Sequence, residues 1–308
     1  MAVYFLNMKS FGRSSGSSAV SAAAYRAGER LRDERSGKIY DHSERQDVLH
    51  KEIVLPSQFA DEQIAWARDR STLWNAAEQA ESRNNARVAR EYLVALPVEL
   101  SPPQRLQLAA AFSQELSDRY GFAVDLAIHE PRDFPGSDAR NFHAHLLATT
   151  REVRLDGLGA KSTLELNDGN RRKLGLAPVI HELLHVRARW AAVTNEALQE
   201  AQVAARVDHR SLEAQGIERE PQLWIPRVAY EMERHGYRSD VADRLRAEYD
   251  AKMSARLQAA KENKPAQDLD AIRREARENW LKLRQNHERE PAAPDAATED
   301  ARHSDLAR

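Results

Sequence analysis

The chain contains no cysteine in its 308 residues. Structural disulfides, thiolate metal sites and cysteine nucleophiles are therefore excluded. The same absence suits a reducing cytosol, and a cytoplasmic protein is the expectation. No apolar run approaches the length of a membrane span, so no membrane insertion is expected. The start, MAVYFLNMKS, is too short and too polar for a signal peptide. An excess of charge of either sign is also lacking. Lys and Arg number 46 against 48 Asp and Glu, a net charge of -2. The chain as a whole thus carries no electrostatic sign of a nucleic-acid partner. Positive charge for such a partner must be local, and the sources are Arg26, Arg30, Arg32 and Arg35, then Arg171, Arg172 and Lys173. A solvated charged face explains either run equally well.

Hydrophobic residues make up 42% and charged residues 31%. That composition fits a soluble globular protein with one sizeable core, or one core with an appended helical region. Residues 2–7 read as an opening strand and SFGRSSGSS as a loop. SAVSAAAYRAGERLRDE reads as a helix capped by Ser17 or Ser18 and stopped at Ser36-Gly37. Strands are expected at 48–55, 90–97, 122–130 and 142–153, and helices at 61–85 and 102–119, the latter opened by Ser101-Pro102. Residues 154–175 read as a protruding loop or hairpin. Helices follow at 179–205, near 227–235, at 239–262 and at 268–288, before a disordered tail. The coarse picture is an α+β core over 1–175, a helical extension over 176–262, and a helix with a tail over 263–308.

His143 and His145 stand two apart in a predicted strand, so both imidazoles point to one face. His129 ends the preceding strand, at a similar level if the two strands pair. Three neutral imidazoles suit a borderline divalent metal such as zinc, nickel, cobalt or manganese. Three protein ligands leave positions open, which is the catalytic pattern. Solvent-facing polar residues are the alternative reading. HELLH at 181–185 is a competing metal motif, with Glu182 as the water-activating group of a zinc peptidase and Glu196, Glu200 or His209 as third ligand. Fortuitous histidines in an exposed first turn explain it as well.

Tyr25 lies on the alanine-rich helix, and taken alone it is a packed or surface tyrosine. The segments YFLNMKSFGRSSGSSAVSAAAYRAG, VAREYLVALPVELS, the strand ending in His129, FHAHLLATTREV and VDHRSLEAQGIEREPQ, in that order over roughly 1–240, resemble the MobA/MobL relaxases of plasmid mobilisation. Ala144 between the paired histidines is a mild departure, and Leu223-Trp224 is another. The resemblance implies a central antiparallel sheet flanked by helices. It implies Tyr25 as nucleophile, Glu91 as a base toward the tyrosine or a group that orients it, and His129, His143 and His145 as ligands of a divalent metal (manganese, magnesium, zinc, nickel or cobalt). The activity implied is strand-specific nicking at a transfer origin through a 5′-phosphotyrosyl link. Partners implied are single-stranded and duplex DNA, accessory relaxosome proteins and a coupling protein. Arg26, Arg30, Arg151, Arg171, Arg172 and Lys173 are candidate phosphate contacts, and Phe134, Trp190 and Trp224 candidate stacking groups. A DNA-binding accessory protein that has lost nicking, and a zinc peptidase, are the competing classes.

Overall fold

The structure is a computed structural model that describes residues 2–59, 61–131, 138–217, 223, 225–262 and 277–278. Among the described residues, eight strands and seven α-helices run in chain order. The strands are β1 (Leu6–Gly12), β2 (Arg30–Arg32), β3 (Ile39–Asp41), β4 (Val48–Val54), β5 (Arg87–Ala95), β6 (Phe122–His129), β7 (His143–Arg154) and β8 (Gly157–Lys161). The helices are α1 (Ala19–Ala27), α2 (Arg70–Gln79), α3 (Pro102–Tyr120), α4 (Asp168–Lys173), α5 (Val179–Glu200), α6 (Arg227–Arg234) and α7 (Asp240–Glu262). The main sheet has the order β1-β5-β7-β6-β4, with β8 paired to β7. All its pairs are antiparallel. The α+β class with a central antiparallel sheet is the expected one.

The two faces of the sheet are filled by alternate residues of the same strands. Leu126, Ala144, Leu146 and Ala148 pack with Phe112 and Leu116 of α3 and with Val186, Trp190 and Leu198 of α5. Ala89, Ala123 and Leu147 pack with Val20 and Ala23 of α1 and with Leu73 and Trp74 of α2. The alanines of α1 are why that helix lies close to the sheet. Ala144 is fully buried on the α3 face, so the small residue between the two histidines is accommodated.

Four sequence expectations change. The first strand runs over 6–12 and includes KSFG, because it is an edge strand held by β5, with Lys9 opposite Glu91. The first helix stops at Ala27, not at Ser36. Ser18 caps it, accepting from the Ser21 N–H. Gly28, at φ +60, ends it in the left-handed region, where glycine carries no Cβ penalty. The charged residues that follow form the β2–β3 hairpin, and Ser36-Gly37 is its turn. The helix expected over 61–85 is broken before Asp69, whose carboxylate caps α2 by accepting from the Thr72 N–H at 2.8 Å. Residues 154–175 keep the hairpin alternative in part, since β8 pairs antiparallel with β7 from Arg154 and Gly157, but they are not a loop beyond it. They contain β8 and α4, and Leu164 and Arg171 are buried.

Two compact units follow one another along the chain, 1–215 and 216–308. In the second, Glu233 of α6 accepts from Arg246 of α7 at 2.6 and 2.7 Å. The helix expected over 268–288 and the tail lie outside the described residues, apart from 277–278, which are helical.

Candidate metal and nucleophile site

Antiparallel pairing puts His129 directly opposite His143, and β5 sets Leu93 opposite His145. The period of two then turns His129, His143, His145 and Glu91 to the α1 side of the sheet. The three rings lie with centroids 5.3, 4.7 and 5.2 Å apart. One nitrogen of each lies within 4.8 Å of the others, the one such group of metal-ligating side chains among the described residues.

Hydrogen bonds fix the tautomers. His129 donates from Nε2 to the Arg26 carbonyl at 2.7 Å, which leaves Nδ1 as its ligating nitrogen. His143 donates from Nδ1 to the Asn141 carbonyl at 2.9 Å, and His145 from Nδ1 to Glu91 Oε1 at 2.6 Å. Both therefore offer Nε2. Burial pushes His129 down to about 3 and His145 down to about 4, so both rings are neutral at neutral pH. Three neutral, oriented imidazoles fit a divalent transition metal, and a carboxylate behind one of them is the usual outer-shell support.

Glu91 is 1% exposed and sits at the centre of this wiring. It accepts from His145 and from the Arg26 guanidinium, and Lys9 Nζ lies 3.0 Å from Oε2. Burial alone would raise its carboxyl. The hydrogen bonds from His145 and Arg26 outweigh burial and hold it well below the usual carboxylate range. A carboxylate so held is a poor proton acceptor. The sequence expectation for Glu91 is a base toward the tyrosine or a group that orients it; the contacts it makes here are to His145, Arg26 and Lys9.

Tyr25 stands on the outer side of α1, 40% exposed, next to the inward-facing Arg26. Its ring meets His42 edge-on at 5.2 Å and carries the Arg45 guanidinium over its face at 4.1 Å. Arg45 also donates to the Tyr25 carbonyl at 2.5 Å, to both oxygens of Asp47 at 2.9 and 2.6 Å, and to His129 Nδ1 at 3.3 Å. Sequence reasoning missed Arg45, His42, Asp47 and Lys9. Three of them lie in the β3–β4 connection, where no periodicity marks a functional side chain. A cleft of about 450 Å³, lined by Val3, Phe5, Leu93, Val98 and Phe142 among others, opens beside His143.

The candidate phosphate contacts do not converge. Arg26 is buried on Glu91 and the Ala22 carbonyl. Arg171, 1% exposed, donates to the carbonyls of Ala177 and Thr163, so it anchors the α4–α5 connection. Neither is available to a phosphate. Arg151 pairs with Glu81 at 2.9 Å and with the Gly159 carbonyl. Arg30, Arg172 and Lys173 are exposed, and Arg30 lies 3.4 Å from Asp41. Trp190 is buried against Phe112 at 4.9 Å and cannot stack on a base. Phe134 and Trp224 lie outside the described residues. In HELLH, Glu182 is committed to Arg119 and to the Tyr120 hydroxyl, both at 2.9 Å, while His181 and His185 face solvent. That is a surface ion-pair cluster and not a peptidase centre. In VDHRS, Asn195 pins Val207 through both backbone groups, and Asp208 pairs locally with Arg210.

Comparison with known proteins follows the same lines. The family model described as the MobA/MobL family matches residues 17–235. A mobilization protein MobL from Acidithiobacillus ferridurans is 34% identical over 84% of this chain and 70% of its own length. A probable conjugal transfer protein TraA from Sinorhizobium fredii is 32% identical over 89% of this chain, but the match spans only 26% of that relative. A solved structure concerned with the molecular basis of vancomycin resistance transfer in Staphylococcus aureus is 30% identical. It covers 68% of this chain and 100% of its own, with a TM-score of 0.54.

Proposed function

Since the chain belongs to the MobA/MobL family, we propose that it is a relaxase that nicks one DNA strand at the transfer origin of a plasmid or other mobile element. The observation that carries this reading is the coupling of α1 to the histidine cluster. The Arg26 carbonyl accepts from His129, and the Arg26 side chain shares Glu91 with His145. The residue next to Arg26 is Tyr25, so the helix that bears the nucleophile is tied to the ligands at its functional end.

Tyr25 Oη attacks the scissile phosphorus. A bond forms from Oη to phosphorus, the bond to the 3′ oxygen breaks, and that oxygen takes up a proton as a 3′-hydroxyl. The phenolic proton passes to solvent, because Glu91 is committed elsewhere. The product is a 5′-phosphotyrosyl link, which keeps the phosphodiester energy and permits the reverse reaction to rejoin the strand. His129, His143 and His145 would hold a divalent cation, which supplies polarisation of the scissile phosphate and charge for its non-bridging oxygens. The cleft beside His143 suits bases of the single strand, which bind by stacking on apolar and aromatic groups. Exposed Arg30, Arg172 and Lys173 supply phosphate contacts on the surrounding surface. The proposal extends to action in the cytoplasm with accessory relaxosome proteins and a coupling protein, a setting that goes with the relaxase reading and not with any contact in the structure. No helix among the described residues is long and apolar enough to cross a membrane.

The test incubates the full chain with Mn²⁺ and a labelled single strand carrying the transfer origin next to its own gene. A covalent protein–DNA adduct is expected with the unaltered chain and none with Tyr25→Phe. His143→Ala and His145→Ala are expected to lower the yield at least tenfold. An adduct unaffected by Tyr25→Phe would sink the nucleophile assignment.

A further inference from the structure

Arg45 is the residue that touches both halves of the proposed centre, and its contacts there are of two kinds. Its Nη1 donates to the Tyr25 carbonyl, and its guanidinium plane covers the Tyr25 ring at 4.1 Å. Its Nη2 lies 3.3 Å from His129 Nδ1. That nitrogen is the one left for a metal, because Nε2 of His129 is spent on the Arg26 carbonyl. A guanidinium cannot lose its proton at working pH. Nδ1 is therefore the acceptor, and the same lone pair cannot serve Arg45 and a cation together. The arm is held in place by Asp47, which takes two of its N–H groups, and both side chains are nearly buried, at 11% and 13% exposure. Gly28 completes the fit. A Cβ there would stand 3.5 Å from Arg45 Cβ and 3.2 Å from Val48 Cγ2, so glycine lets the end of α1 close onto this segment.

We propose that Arg45 is a positioning residue with a second duty: it holds Tyr25 on the histidine cluster, and it occupies the metal-ligating nitrogen of His129 until a divalent cation displaces it. The inference rests on the relaxase reading of the site. It assigns the guanidinium as a resident positive charge beside the neutral imidazoles. Loading then exchanges one cation for another at Nδ1, while the contacts of Arg45 to Asp47 and to the Tyr25 carbonyl remain.

The consequence is a pair of opposite effects on removing the guanidinium. Metal affinity should rise, because the competitor for Nδ1 is gone. Nicking should fall, because the Tyr25 ring and carbonyl lose their anchor. A purely structural role would weaken both. The test uses the full chain with Arg45→Gln and Arg45→Met. Mn²⁺ affinity is read from the electron paramagnetic resonance of free Mn²⁺, and adduct yield is read separately at saturating Mn²⁺. Both variants should bind Mn²⁺ tighter, by roughly two- to tenfold, the scale of one hydrogen bond removed. Both should form adduct at least tenfold more slowly. Unchanged or weaker Mn²⁺ binding in variants that keep the circular dichroism spectrum of the parent would overturn the proposal. If Arg45→Gln does not fold, Arg45→Met, which keeps the aliphatic stem and has neither charge nor donor, decides it alone. Failure of the relaxase reading looks different: the unaltered chain then binds Mn²⁺ but forms no adduct.

Discussion

Glu91 gathers side chains from three elements of the fold onto one buried carboxylate. It receives His145 from β7, Arg26 from α1 and Lys9 from β1. Replacing it by glutamine keeps the volume but leaves Arg26 as an uncompensated buried charge. Breaking a buried pair in this way costs about 3–5 kcal/mol. Loss of outer-shell support at a ligating histidine costs about 10- to 100-fold in metal affinity. Glu91→Gln is therefore expected to lower the urea midpoint and to weaken Mn²⁺ binding together. Unchanged Mn²⁺ affinity would remove its role behind His145. The histidines were legible in the sequence because strand periodicity is local: two residues apart means one face. The partners of Glu91 were not, since they come from three separate elements. Arg45 left no trace because a residue in a connection has no period to betray it.

At the level of elements, misreadings arose where long-range pairing overrides local preference. GERLRDER carries good helix formers, so composition extends the first helix past its true end. Gly28 and the pairing of β2 with β3 stop it at Ala27. The opening strand was displaced for a related reason. SFG looks like loop by composition, yet it is the C-terminal end of an edge strand whose register β5 dictates. By contrast α3 was legible almost to the residue, because its capping box and its terminal Gly121 are encoded within the helix itself. Gly28→Ala tests the first stop. The left-handed backbone there costs a non-glycine residue about 1–2 kcal/mol, and the new Cβ presses on Val48. A lower melting temperature and slower adduct formation are expected, since Tyr25 lies one turn upstream. An unchanged melting temperature would show that the end of α1 can relax.

For the whole molecule, the reading of 1–175 as the catalytic core makes a prediction that can be set against the packing. Val186, Trp190 and Leu198 of α5 complete the layer over α3 and the sheet. Each such side chain contributes about 1.5–3 kcal/mol when fully buried. A chain cut after residue 215 is expected to unfold cooperatively in urea and to bind Mn²⁺ as the full chain does. One cut after residue 175 should lose cooperative unfolding and expose Phe112. Equal stability of the two would place the boundary where the sequence alone suggested it. The strand order β1-β5-β7-β6-β4 has one more consequence, and it concerns time. During synthesis Tyr25 leaves the ribosome early, while His143 and His145 arrive on β7, the last strand of those five to emerge. That strand must slot between β5 and β6, pairing with β6, before His129 can meet His143 and His145. A half-made chain thus carries Tyr25 on its helix without the three-histidine cluster that the closed sheet assembles.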